Sequence, residues 1–336
     1  ALPPPGRSPG GGPLARHPMV PSIGTSLRLA FLLTILAVLA ASSPALRDAS
    51  SAARFVETSG EALDAHKGLL ALRLAYPGKI TDLRLDFETG EWVIEAGGEV
   101  FCWADGRVLP LEERDKAASY RPFIAYLYPW DLIDPGSIDD ETNERLKRLP
   151  EELKRAPPSH PAFYTALYGG RTEKALWARQ RKTRFLGKAL NVHEMIVGPL
   201  KEVETDILAA AERSERVKNF LKEIHYAGAY NFRRIRGQQE LSRHSYGVAV
   251  DILPKGRAAR KTYWLWILEE DPEWPRYPLA KRWMPPEEVV RIFEEHGFVW
   301  GGKWLDYDTM HFEYRPEMLL LREMYLPPHL VHARMQ

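Results

Sequence analysis

The chain of 336 residues has a single cysteine, Cys102. An intramolecular disulfide is excluded, and so is a zinc site built from several thiolates. Cys102 lies in the apolar, strand-like run Val100-Phe101-Cys102-Trp103 and reads as a buried small hydrophobe rather than a reactive thiol. An excess of positive charge is also missing: 46 Lys and Arg against 45 Asp and Glu leave a formal net charge of +1. That balance gives no support to a nucleic-acid partner, whose phosphates call for a basic face. No internal repeat is visible. Hydrophobic residues are plentiful at 45%, enough for a sizeable core, so disorder is not expected.

Residues 1–45 are expected to lie outside the fold. Residues 1–18 are rich in Pro and Gly and precede Met19, the expected start. Arg28 is followed by the apolar run Leu29–Ala41, then by small residues ending in Ser43-Pro44-Ala45. A positive start, a short apolar stretch and a small-residue exit describe a secretory signal peptide. The run falls short of the roughly 20 residues of a bilayer-spanning helix, so no stable membrane span is expected after cleavage. The expected location is secreted or periplasmic, in the cell envelope. No cysteine follows the run to accept a lipid.

Residues 46–138 read as an accessory region. A weakly periodic helix is expected over 46–75. Short β-type runs over 79–110 are separated by Thr89-Gly90, Gly97-Gly98 and Asp105-Gly106, which mark hairpin turns and predict a small antiparallel meander. The aromatic, Pro-rich stretch 120–135 reads as a packed connector. From 139 to about 225 the pattern is helical, with Val217, Phe220, Leu221 and Ile224 on one stripe. Pro285-Pro286 opens a helix that contains Val289, Val290 and Phe293, and Gly297 closes it. Short strands are expected at 248–253, 298–300 and 311–314. The whole is α+β: a small antiparallel sheet with flanking helices over 139–336, plus the N-terminal meander.

Two segments stand out chemically. In Ser242-Arg243-His244-Ser245-Tyr246-Gly247-Val248-Ala249-Val250-Asp251, a charged Asp sits among strand-forming apolar residues. A buried charge is tolerated when paired or bound to a metal. In Asp308-Thr309-Met310-His311-Phe312-Glu313-Tyr314, His311 and Glu313 share one strand face, and Asp308 is near enough to reach the same centre. Two His and one Asp leave a fourth position open on tetrahedral zinc, the mark of a catalytic rather than a structural site.

These segments resemble the D-alanyl-D-alanine carboxypeptidase (VanY-like) zinc peptidases and their L-alanyl-D-glutamate endopeptidase relatives. Ser242, His244, Gly247, Ala249 and Asp251 match the first motif, and Asp308 and His311 the second. Trp300-Gly301-Gly302-Lys303-Trp304 and His311-Phe312-Glu313 look like the endopeptidase-type branch. The resemblance covers residues 160–320 at most and is specific over 230–315. It implies one zinc per chain, held by His244, Asp251 and His311, with Asp308 as general base. It places an Arg to steady the oxyanion near Asn231-Phe232-Arg233, with Arg233 favoured over Arg234 and Arg236. Gln238 and Ser242 would contact the substrate. Trp304, beside the metal segment, is a candidate cleft wall. The substrates implied are peptidoglycan stem peptides, cut at D-Ala-D-Ala or at L-Ala-D-Glu.

Other readings stand beside this one. A non-catalytic zinc-binding, wall-binding module is the alternative from another class, and an amidase at the sugar–peptide link is a third. His193-Glu194 hints at the zincin motif, but Val197 occupies the place of its second His. His296 suits a helix C-terminus. Glu313 either orients a ligand His or is a plain surface residue. The aromatic residues Tyr263, Trp264, Trp266, Trp274, Tyr277, Trp283 and Trp300 read as core.

Overall fold

The computed structural model describes residues 64–325, apart from 105 and 125. The expected signal peptide and the first part of the helix expected over 46–75 lie outside these residues. Helix α1, Ala65–Ala75, begins where the Asp64 carboxylate accepts a hydrogen bond from the Lys67 N–H. Its buried stripe is Gly68, Leu69, Ala71, Leu72 and Ala75. Gly68 has no side chain to spare: a Cβ there would meet the Trp103 ring at 2.6 Å.

The meander follows as β1 (Ile80–Leu85), β2 (Trp92–Ala96), β3 (Glu99–Ala104) and β4 (Arg107–Pro110), paired in that order. Every pair is antiparallel. Gly90, Gly97, Gly98 and Gly106 all have positive φ at the turns, as hairpin geometry requires. Cys102 pairs across the sheet with Val93 and Leu109 and is fully buried. Burial pushes its thiol up to about 11, so it packs as a hydrophobe.

Helices α2 (Asp140–Arg155), α3 (Pro161–Tyr168) and α4 (Glu173–Ala178) occupy the next stretch. The helical pattern then breaks. Residues 180–193 form a hairpin of β5 (Gln180–Phe185) and β6 (Lys188–His193), turning at Leu186 and Gly187 with φ of 48° and 77°. Arg181, Lys182 and Arg184 face water while Gln180, Phe185, Leu190 and Val192 face inward. The burial of β5 does not alternate residue by residue, and its clustered charges gave the sequence reading no strand signal. Helices α5 (Val197–Arg213) and α6 (Glu215–Glu223) follow, with Ser214 ending the first and capping the second. The charged residues 212–216 straddle this helix junction. Ile224, placed by periodicity at the end of a helical stripe, instead opens strand β7, Ile224–Gly228.

The remaining elements are α7 (Arg243–Tyr246), β8 (Ala249–Pro254), α8 (Trp264–Leu268), α9 (Glu287–Glu295), β9 (Phe298–Trp300), β10 (His311–Tyr314) and α10 (Pro316–Met324). They complete a four-stranded sheet of order β7-β8-β10-β9, antiparallel throughout. Helix α10 had no counterpart in the sequence reading. It buries Met318, Leu320, Leu321 and Met324 together with Glu317 and Arg322, so no polar stripe betrays it. Trp264, Ile267, Trp274, Tyr277 and Tyr307 form a core cluster with Ile138 and Leu146 from α2 and the turn before it. Trp274, Tyr277 and Trp300 are buried, as read.

Strand β10 has two faces with different tasks. Phe312 stacks on Phe293 of α9 with centroids 3.8 Å apart, and Phe293 also meets Phe298 and Phe185. This aromatic layer holds the sheet against α9 from behind, leaving His311 and Glu313 on the opposite face. Truncating Phe293, which is fully buried, is expected to destabilise the protein by about 3–5 kcal/mol. Urea unfolding of Phe293→Ala against wild type measures this; a loss below about 1 kcal/mol would contradict the role given to the layer.

Candidate metal centre

The centre begins with register. His311 and Asp251 are direct cross-strand partners in the β8–β10 ladder. Directly opposed residues project from the same side of a sheet, so both side chains enter one space. His311 Nδ1 and Asp251 Oδ1 are 2.9 Å apart. The next site-facing pair along the ladder is Ala249 and Glu313. Ala249 is fully buried, and its single methyl leaves room for the Glu313 carboxylate.

His244 arrives from α7, one short turn that Ser242 caps at its start and Gly247 closes in the left-handed conformation. A Cβ on Gly247 would meet Gln180 Oε1 at 2.0 Å and the His193 nitrogen at 2.8 Å. The hairpin β5–β6 thus presses against the glycine and fixes the turn that aims His244. His244 Nε2 lies 3.1 Å from Asp251 Oδ1 and 3.2 Å from His311 Nδ1.

These three atoms form a nearly equilateral triangle. Tetrahedral zinc with N and O donors at about 2.0–2.1 Å sets neighbouring donors about 3.3 Å apart. The observed edges are close to that spacing. The outer atoms of both imidazoles are also committed. His244 Nδ1 donates to the Ala229 carbonyl at 2.6 Å, and His311 Nε2 donates to Glu313 Oε2 at 3.3 Å. A carbonyl and a carboxylate can only accept, so each outer nitrogen carries a proton, and the inward nitrogen is the one a metal would take. Glu313, which the sequence left undecided, is a buried partner that orients a His.

The donor set also demands positive charge. Burial disfavours a charged His311, yet its hydrogen bonds to Asp251 and Glu313 outweigh this and push it up to about 10. Burial likewise opposes ionisation of Asp251, but His244 and His311 hold its carboxyl well below the usual carboxylate range. The side chains alone thus retain a proton where a divalent cation would fit, and the residues present suit a metal such as zinc.

Every other candidate from the sequence lines the same open cleft of about 980 Å³: Asp308, Arg233, Ser242, Gln238 and Trp304. Asp308 sits on a loop pinned by its N–H to the Gly301 carbonyl and by its own carbonyl to the His311 N–H. The Gly-Gly pair explains the close fit, because a Cβ on Gly301 would meet the Asp308 carbonyl at 2.6 Å. Asp308 Oδ1 is buried with no hydrogen-bond partner among the described residues. Burial pushes this carboxyl up to about 8. The Trp304 ring centroid is 5.7 Å from that of His311, and its Nε1 is buried without a partner among the described residues. Of the three arginines weighed, Arg234 donates to the Gln239 carbonyl and Arg236 faces Glu269 at 3.6 Å, while Arg233 and Arg236 both line the cleft. Ser242 Oγ accepts from the His244 N–H at 3.3 Å, so it also serves the turn.

His193 takes no part. Its ring bonds the Tyr168 carbonyl and the Met195 N–H, a structural role. His296 ends α9 beside Asp206 and Glu202. The sequence missed one wall altogether. Residues 121–134, read as a mere connector, contribute Tyr126, Pro129, Trp130 and Ile133 to the cleft. Lys303 secures this segment by donating to the Trp130 carbonyl and to Glu294, both at 2.6 Å.

The family model described as D-alanyl-D-alanine carboxypeptidase matches residues 236–314, the stretch that holds all three triangle residues and Asp308. A second model, described as a domain of unknown function, matches residues 68–125. No curated protein and no solved structure matches the chain. Among the described residues no helix is long and apolar enough to cross a membrane.

Metal analysis after dialysis is expected to find one zinc per wild-type chain and none in His311→Ala. Zinc at 100 times its Kd should stabilise the wild type by about 2.7 kcal/mol and leave that variant unmoved. Equal zinc in both proteins would remove His311 from the centre.

Proposed function

We propose that the chain, whose segment 236–314 belongs to the D-alanyl-D-alanine carboxypeptidase (VanY-like) family of zinc peptidases, hydrolyses peptide bonds in peptidoglycan stem peptides at the cell envelope. His244, Asp251 and His311 hold the zinc, Asp308 is the general base, and Arg233 supplies positive charge to the reacting carbonyl. The observation that carries this reading is the unpartnered, buried Oδ1 of Asp308 in the same cleft as the His244–Asp251–His311 triangle. A site that only gripped a metal would gain nothing from a carboxylate oxygen buried without a partner, which costs free energy.

When bound, zinc would supply an acidified water and polarise the scissile carbonyl. The chain's own residues do the rest. Asp308 accepts a proton at Oδ1 and returns it to the departing amine. Its buried setting raises its affinity for that proton, which suits a group that must carry it between two partners. Arg233 lines the cleft and in this reading offers its charge to the oxygen on which negative charge develops. Trp304 lines the cleft beside His311 and in this reading offers the flat face of its ring to the peptide. Gln238 and Ser242 line the approach. In this reading the attacking group is water.

The full chain and its Asp308→Ala variant, incubated with purified peptidoglycan and synthetic stem peptides, test this. Both should bind one zinc, and the variant should lose at least about 10²-fold in kcat. Product masses then identify the bond, a terminal D-Ala or an internal L-Ala-D-Glu linkage. Zinc binding without cleavage by the wild type across the panel would leave a non-catalytic wall-binding module as the better reading. Arg233→Ala is expected to lower kcat/KM by about 10²-fold with zinc content unchanged.

A further inference from the structure

Behind His311 runs an unbroken chain of buried polar contacts that leaves the family-matched segment and ends at α1. His311 Nε2 donates to Glu313 Oε2 at 3.3 Å. The other Glu313 oxygen, Oε1, accepts from Arg315 Nη1 at 3.3 Å. Arg315 Nε donates to Glu317 Oε1, and the Tyr76 hydroxyl donates to Glu317 Oε2 at 2.7 Å. None of the five is more than 8% exposed. Tyr76 is the residue at which α1 ends, and its sequence separation from Glu317 is 241.

From this geometry we infer that Tyr76 is a positioning residue for the metal centre, acting through Glu317, Arg315 and Glu313 on the orientation of His311. The inference rests on the proposal that His311 binds zinc.

The physical case is one of constraint. Glu313 has three calls on it: His311, Arg315 at 3.3 Å and Arg243 Nε at 3.9 Å. Where its carboxylate settles decides where the imidazole points. Arg243 is held from elsewhere, by the Tyr164 hydroxyl at 2.7 Å and by stacking over the Tyr164 ring. Arg315 is fixed by Glu317 and by the Phe123 carbonyl at 3.3 Å. Glu317 in turn has a fully buried side chain, and Tyr76 is the neighbour that satisfies its second oxygen. Without that hydroxyl, both Glu317 oxygens compete for Arg315, and the guanidinium turns from Glu313. Buried polar networks transmit such changes because no water is present to absorb them. Residues that orient a metal-ligating His typically change metal affinity by about 10–100-fold when replaced, and a residue three contacts further back should do less.

The experiment uses the full chain and four variants: Tyr76→Phe, Glu317→Gln, Glu313→Gln and the double variant Tyr76→Phe/Glu313→Gln. Zinc affinity is measured by chelator competition, the cobalt-substituted absorption spectrum reports ligand geometry, and thermal unfolding of the metal-free proteins reports stability. Expected losses of affinity are about 10–100-fold for Glu313→Gln and a few-fold for Tyr76→Phe, with Glu317→Gln between them and a shifted cobalt spectrum in each. In the Glu313→Gln background the Tyr76→Phe change should add nothing further, since its route to His311 is already cut. Lowered stability in Tyr76→Phe with affinity and spectrum unchanged would make the tyrosine merely structural and overturn the inference. Full additivity in the double variant would also overturn it, by showing that Tyr76 does not act through Glu313. A wild type that binds no zinc would instead sink the metal-site reading itself, and this inference with it.

Discussion

The pairing of Asp251 with His311 across two adjacent antiparallel strands is the constraint on which the centre depends. A one-residue slip of β10 against β8 would send His311 to the opposite face, towards Phe293 and Phe298, and end its pairing with Asp251. The aromatic layer therefore protects the site indirectly, because it fixes the register that brings a carboxylate and an imidazole within 2.9 Å. His244 completes the triangle from a different direction, on a single turn braced by the β5–β6 hairpin through Gly247. Three separate backbone segments are thus held to ångström tolerance by packing that lies outside the site.

Concentrating charge in this way has a cost that the surroundings offset. Asp251, Asp308, Glu313 and Glu317 lie near one another with little water to solvate them. Arg243 and Arg315 balance Glu313 and Glu317, and burial is thereby tolerated. Burial opposes ionisation of Glu313, but His311 and the two arginines hold its carboxyl down to about 2. Among the described residues no arginine forms an ion pair with Asp251 or Asp308. The first is matched by the two imidazoles, and the second is left with an orphaned oxygen. That asymmetry distinguishes the carboxylate of the triangle from the one proposed to act as a base.

The cleft is assembled from parts that are far apart in the chain. The turn before α7 gives Arg233 and Gln238, the loop before β10 gives Asp308 and Trp304, and the segment before α2 gives the opposite wall. Glu294 ties the wall down by accepting from the Tyr128 hydroxyl and Lys303, while Arg322 sits 3.3 Å from its second oxygen. Helix α1 meets β10 and α10 through Tyr76, whose ring lies 6.3 Å from that of Tyr314 and whose hydroxyl donates to Glu317.

Much of this was legible in the sequence, for identifiable reasons. The meander announced itself through glycines at its turns, and β8, β9 and β10 through short apolar runs. The triangle residues stood out because a charged Asp among Val and Ile needs a partner, and because His244 and His311 recur at the spacing of a known family. Alternation along β10 even placed Glu313 on the face of His311. What the sequence could not disclose depended on contacts between remote segments. The β5–β6 hairpin was hidden because its outward residues are charged, and α10 because it is buried nearly all round. The connector at 121–134 carries no motif, so its place in the cleft emerges only when Lys303 is seen to hold Trp130. Nothing local links Tyr76 to Glu317 either. Local chemistry and periodicity fix which residues can bind a metal and which segments form strands; only the packed structure decides which remote groups satisfy a buried charge, because that choice is made by distance in space.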